Sequence, residues 1–171
     1  MDPRLATTDG GSALSRLTLR TDTPMAIVTA AAPDGRRSGC LVGFWTQCSI
    51  RPPRVLACIS KTNHTLPVAT AAGVLAVHWL ADGDRRLAEL FGGETGDEVD
   101  KFERCSWRPG PDGVPVIDGV KGWVAGPVVG RFDVGDHVAF VLDAETGAAG
   151  DASEGQLGFQ AVKDLEPGHE P

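Results

Sequence analysis

Apolar residues along this chain come in short runs, each closed by turn-forming residues. Met25 to Ala30, Val55 to Ile59 and Val74 to Leu80 are almost wholly apolar, which predicts strands buried on both faces. Ala32-Pro33-Asp34-Gly35 separates the first run from a second at Arg36 to Trp45 and reads as a hairpin turn. There Pro presets the bend and Gly supplies a positive φ. Thr46-Gln47-Cys48-Ser49 reads as a polar turn. Ile50-Arg51-Pro52-Pro53 then stops strand pairing, because proline has no N–H for the ladder. Later strands are predicted at Val116-Ile117, at Lys121 to Phe132 with a break at Gly126-Pro127, at His137 to Ala144 and at Leu157 to Val162. Gly110 to Gly113 and Gly135-Asp136 read as turns, and Gly147 to Gly155 as a flexible loop.

Helical spacing is rarer. Ser12 would cap a short helix carrying Leu14 and Leu17. Thr65 reads as the N-cap of a second helix, with Pro67 in its first turn and Gly73 at its end. Asp84 would cap a third, whose Leu87, Leu90 and Phe91 share one face before Gly92-Gly93 closes it. Strands outnumber helices, and no βαβ alternation is present. The expected fold is therefore mainly β, an antiparallel barrel with short helical insertions. Residues 1–20 are expected as a tail and short helix, 21–163 as one domain, and 164–171 as a flexible tail, with His169 in it.

Charge and composition narrow the function. Lys plus Arg number 16 against 23 Asp plus Glu, a net charge of -7, which argues against nucleic acid or an anionic membrane as partner. No run approaches the roughly 18 apolar residues of a membrane span, and no signal-peptide core is present. Cys40, Cys48, Cys58 and Cys105 lack CxxC spacing, so neither a metal site nor a disulfide is expected, and a cytoplasmic location is. The chain carries no GxGxxG, no GxxxxGK[ST], no GxSxG and no HExxH.

Three clusters are candidates for chemistry. Ser60-Lys61-Thr62-Asn63-His64-Thr65 sits where a helix should start, and its short donors and lysine would hold an anion such as a phosphate. The plainer reading is an N-cap beside a solvated lysine. Gly39 and Gly43 permit close approach of a flat ring, Leu41, Val42, Phe44 and Trp45 supply apolar surface, and Gln47 would meet a polar ring edge. The plainer reading is a bent core strand. His137, just after the Gly135-Asp136 turn, would stand at a barrel rim within reach of a ligand, or be a rim histidine without one. His78 reads as packed or solvated, Phe102 and Trp107 as packing a loop, and Lys101 as a surface residue.

In this order the segments resemble the flavin reductase-like family, the FMN-binding split barrels. The resemblance rests on Met25 to Thr29, Gly39, Thr46 to Pro53, Ser60-Lys61-Thr62, Leu87 to Phe91, Asp100-Lys101-Phe102, Trp107, Gly113 to Val116 and Gly135-Asp136-His137. It implies a Greek-key-like split β-barrel and a homodimer with flavin near the subunit interface. It implies NAD(P)H-dependent reduction of FMN or FAD, with reduced flavin passed to a monooxygenase component. A flavin-binding protein without turnover, or a deazaflavin-using oxidoreductase on the same barrel, would share these features. By the same resemblance Val42, Gly43, Phe44 and Trp45 would line the ring. Gln47, Cys48 and Ser49 would touch its edge or the ribityl chain, Lys61, Asn63 and Thr65 would hold the phosphate, and His137 would meet the nicotinamide. Where relatives often carry small hydroxylic residues, this chain has Leu41-Val42-Gly43-Phe44, so here the backbone must do more of the bonding.

Overall fold

The structure, a computed structural model, describes residues 8–151 and 153–168. Met1 to Thr7 of the expected tail, and His169, lie outside the described residues.

The first hairpin joins β1 (Ala26–Ala31) to β2 (Arg37–Val42), and a second joins β3 (Trp45–Ile50) to β4 (Pro53–Ser60). Then come β5 (Val74–Trp79), a small hairpin of β6 (Trp107–Pro109) and β7 (Pro115–Ile117), the long β8 (Gly122–Asp133), β9 (His137–Asp143) and β10 (Thr146–Ala149). The ladder runs β2-β1-β5-β8-β9-β4-β3, antiparallel throughout, with β10 added beside β8. One strand carries the corner. Residues 122–127 of β8 pair with β5, whereas 128–133 pair with β9 across a register shift at Val128/Gly130. The corner requires glycine, since a Cβ at Gly126 would lie 1.8 Å from the Asp143 carbonyl oxygen.

Among the described residues the ladder does not close, because β2 pairs only with β1 and β3 only with β4. The barrel is split there. Trp45 bridges one end of the gap: its Nε1 donates to Pro24 O at 2.7 Å, and its ring stands edge-on to Trp79 with centroids 4.9 Å apart.

Two apolar layers explain the near-continuous apolar strands. Inward residues, among them Val28, Cys40, Ala57, Val77 and Phe140, fill the barrel, and helix α2 (Thr65–Ala71) closes it with Val68 and Ala69. Outward residues such as Ile27 are covered by helix α3 (Arg85–Gly93) through Phe91 and by Ile117 and Leu157. Helix α1 (Gly10–Thr18) buries none of its residues.

Several expectations need correction. Thr46 to Ser49 is strand, not turn: β3 pairs by backbone with β4, and a register shift between Gln47 and Ser49 accommodates Cys48. Gly126-Pro127 bends a single strand rather than breaking it. The expected loop at 147–155 contributes β10, and Leu157 to Val162 forms one isolated bridge, at Gly158, and a short 3-10 turn instead of a strand. Asp9, not Ser12, caps α1, its Oδ1 accepting from Ser12 N at 2.9 Å. Thr65 is not a cap. It lies inside α2, and its buried hydroxyl is 2.9 Å from Ser38 Oγ, while His64 precedes the helix without a side-chain cap bond. Asp84 does precede α3, but its carboxylate turns back to Ala81 N at 2.7 Å. Residues 164–168 lie against α3 instead of hanging free, with Gly168 N donating to Gly92 O.

Candidate functional site

The split in the barrel is also where the chain leaves backbone groups unused. Ala32 N donates to Arg36 O at 2.8 Å, and antiparallel pairing alternates from there along the β1–β2 register. Ala30/Ser38, Val28/Cys40 and Ala26/Val42 therefore exchange bonds, and the N–H and C=O groups of Arg37, Gly39 and Leu41 point away from β1 into the split. One of these already has a partner: Lys101 Nζ donates to Gly39 O at 3.3 Å.

A cleft of about 290 Å³ opens on this edge. One wall is the end of β2, Cys40 to Phe44; another is the end of β4, Cys58 to Ser60, with Asn63 and His137 beyond it. The third wall, Phe159, Val162, Leu165 and Pro167, comes from the C-terminal segment. The lining is mostly apolar, with Ser60, Asn63 and His137 as polar points. Burial pushes the Cys40 thiol up to about 11 and raises that of Cys58, so neither cleft cysteine is a thiolate near neutral pH.

Phe44 and His137 form one rim. Phe44 is 64% exposed, and its ring stands edge-on to the imidazole with centroids 5.3 Å apart. His137 Nδ1 is 2.7 Å from Asp136 Oδ1. The bond to His137 is the first cause holding the Asp136 carboxyl below its usual range.

Lys61 stands at the opposite side of the same turn. Its Nζ donates to Asp133 Oδ2 at 2.7 Å and its N–H to Asp136 O at 2.9 Å. Asn63 Oδ1 accepts from Thr65 N at 2.8 Å, which orders the start of α2.

Of the residues expected to hold a ligand, Val42, Gly43, Phe44, Asn63 and His137 meet in this cleft. Trp45, Gln47, Cys48, Ser49, Lys61 and Thr65 do not line it. The chain kinks at Gly43-Phe44, so Trp45 turns across the barrel end, and Gln47 to Ser49 run away along the exposed β3. Thr65, in the first turn of α2, is buried against Ser38. The C-terminal wall was not anticipated; the spaced apolar residues Leu157, Phe159, Val162 and Leu165 were its only signal.

Two other expectations resolve as structure. Lys101 is buried, not a surface residue: its ammonium donates to Phe91 O at 3.1 Å and to Gly39 O, tying β2 to the end of α3, and burial lowers its pKa. His78 is fully buried. Ile117 N donates to its Nε2 at 3.1 Å, so the ring proton sits on Nδ1, which donates to Ile27 O at 3.1 Å. A polar pocket of about 300 Å³ lies further along β2, between Arg37, Lys101 and the His64–Asp97 pair.

Fold and cleft together define a split antiparallel barrel with an apolar cleft at the seam. The chain belongs to the flavin reductase like domain family, whose model matches residues 18–163. It is similar to an FMN reductase (NADH) RutF of Variovorax paradoxus, 30% identical over 92% of this chain and 84% of that one. It is also similar to the stachydrine N-demethylase reductase subunit Stc3 of Rhizobium meliloti, 29% identical over 70% of this chain. Among solved structures, the NADH:FAD oxidoreductase SgcE6 of Streptomyces globisporus superposes with a TM-score of 0.77 at 24% identity, covering 89% of this chain and 90% of that one, which shows the shared fold. The chain spans only 37%, 50% and 66% of the length of the first three curated relatives it matches.

Proposed function

We propose that this protein is an NAD(P)H-dependent flavin reductase that binds FMN or FAD in the cleft at the barrel split. The observation that carries this reading is the unpaired edge of β2 beside an apolar cleft, in a chain whose family match spans nearly all of the barrel. An isoalloxazine has an apolar body and one edge of alternating hydrogen-bond donors and acceptors. The cleft fits both, with Val42 and Phe44 for the body and the outward N–H and C=O of Leu41 for the edge. Lys61 and Asn63, at the β4 end, provide for the phosphate.

When bound, flavin and nicotinamide would supply the redox chemistry, transfer of a hydride between the two rings. The protein stacks two rings, excludes water with the Phe44 and C-terminal walls, and orients the nicotinamide. His137 does the orienting. With Nδ1–H held by Asp136, its Nε2 would accept from a carboxamide N–H. No protein acid or thiolate is needed.

A homodimer fits the same reading. The outer face of β4, β8 and β9 carries Leu56, Phe132 and Val141, with Phe44 beside His137 at its end, and among the described residues it lacks the cover that α3 gives β2. Phe132 is 56% exposed there. Reduced flavin would pass to a partner component, a monooxygenase in this reading; that one relative is named as the reductase subunit of a demethylase supports a partner of some kind. Four unpaired cysteines support a cytoplasmic setting, and among the described residues no helix is long and apolar enough to cross a membrane.

The test is oxidation of NADH and NADPH by purified protein with FMN or FAD. We expect turnover with at least one pairing. Protein that binds flavin tightly yet oxidises neither nucleotide would make it a flavin carrier instead.

A further inference from the structure

Lys61 is held by the β8–β9 turn at both of its ends. The side chain reaches Asp133, the first acid of the turn, and the backbone N–H reaches the carbonyl of Asp136, the last. Asp133 is itself divided. Its Oδ2 takes the Lys61 ammonium while its Oδ1 accepts from Gly135 N at 3.0 Å, at a residue whose φ of +119° only glycine adopts without strain. Val134 N then donates to His137 O at 3.1 Å, and His137 faces Ser60, next to Lys61, across the ladder. One carboxylate thus touches both the lysine proposed for the phosphate and the turn that presents the rim histidine.

We propose that Asp133 is a specificity-determining and positioning residue, coupling capture of a ligand's phosphate by Lys61 to the placement of His137. This rests on the flavin reading given above. A phosphomonoester arriving at Lys61 meets a cation already neutralised, and must displace Asp133 Oδ2 to bind it. The pair is exposed, 42% for Lys61 and 70% for Asp133, so water and salt weaken it and exchange is easy. Release of Oδ2 leaves the carboxylate to Gly135 N alone. The turn then loses its side-chain tether to Lys61 while keeping the backbone bond from Lys61 N to Asp136 O. A flavin without phosphate gains nothing from Lys61 and leaves the turn as it is. Asp133 therefore lowers the advantage of phosphorylated over unphosphorylated flavin, and sets how firmly His137 is held before and after binding.

Three variants of the full chain separate the parts, using FMN and riboflavin as probes and flavin fluorescence to read affinity. Asp133→Asn keeps an acceptor for Gly135 N but frees Lys61. We expect FMN to bind about threefold tighter, riboflavin to be unchanged, and KM for NADH to stay near wild type. Asp133→Ala frees Lys61 and also strips Gly135 N of its partner. We expect the same gain for FMN with KM for NADH raised, kcat being less affected. Lys61→Met tests the underlying reading, by loss of the preference for FMN over riboflavin. If Lys61→Met loses that preference but Asp133→Asn leaves FMN affinity at wild type, the coupling is overturned and the phosphate assignment stands. If Lys61→Met binds FMN as wild type does, the phosphate assignment fails and the coupling fails with it. If Asp133→Ala leaves KM for NADH unchanged, Asp133 does not position His137.

Discussion

His78 and His137 are both strand residues, and their surroundings differ in every respect that decides a histidine's role. His78 lies between β1, β5 and the β6–β7 hairpin, with both ring nitrogens bonded to backbone and no exposure. Burial pushes its pKa down to about 4. It is one neutral tautomer, used as a three-way clamp. His137 is bonded through Nδ1 to an exposed carboxylate and packs edge-on to a half-exposed phenylalanine at the lip of a cleft. The lesson is general: a histidine whose two nitrogens are consumed by backbone is architecture, and one held by a single nitrogen at a cavity mouth is available for chemistry.

The sharpest way to break this contrast is to remove the clamp. His78→Ala leaves the Ile117 N–H and the Ile27 carbonyl without their bonds to the ring, in a cavity. We expect a loss of about 3–5 kcal/mol, read as a lower urea midpoint. A loss within that of an ordinary surface substitution would remove His78 from the core's supporting contacts. Acid should act on the same site more gently. The folded pKa of about 4 lies below the unfolded value of 6.5, so the unfolded chain takes up this proton first. Stability from His78 is complete above pH 6.5 and falls as pH drops toward 4, by about 3 kcal/mol in all. The difference between wild type and His78→Gln across that window isolates the effect, and a constant difference would contradict it.

The rim should behave oppositely. His137→Ala is expected to cut NADH turnover about tenfold, about 1.4 kcal/mol, with flavin affinity and melting temperature nearly unchanged. Wild-type turnover with both nicotinamides would end the assigned role. Smallest is Lys61→Met, about threefold weaker in FMN binding and less sensitive to added salt, since one screened charge contact is gone. A salt dependence as steep as that of wild type would place the phosphate elsewhere.

Strands packed on both sides were plain in the sequence. β1 and β5 show apolar runs because the barrel interior takes one face and a second layer takes much of the other, while the outer residues of β4 and β9 are apolar and only partly buried. β3 beyond Trp45 and β10 were hidden because backbone pairing places them; Gln47, Cys48 and the whole of β10 are exposed and need no apolar pattern. Leu157 to Val162 misled in the reverse sense: its apolar residues cover an outer layer from a non-strand segment. Residue type and order grouped Val42, Gly43, Phe44, Asn63 and His137, which do line one cleft. Trp45 to Ser49 were grouped with them because a kink at Gly43-Phe44 carries no local signature beyond one glycine. The ion pair between Lys61 and Asp133 spans 72 positions, and no local pattern announces it.

The unpaired edge of β2 has one more consequence. An edge that offers hydrogen bonds to a ring offers them equally to a passing strand, and exposed edges are where sheets recruit neighbours into insoluble assemblies. The chain blunts this edge at two points, with the Lys101 ammonium on the Gly39 carbonyl and with charged, half-exposed Arg37. Among the described residues the stretch around Leu41 has no such guard, and whatever fills the cleft must cover it. Shelf life and redox competence would then have a common determinant, occupancy of the seam.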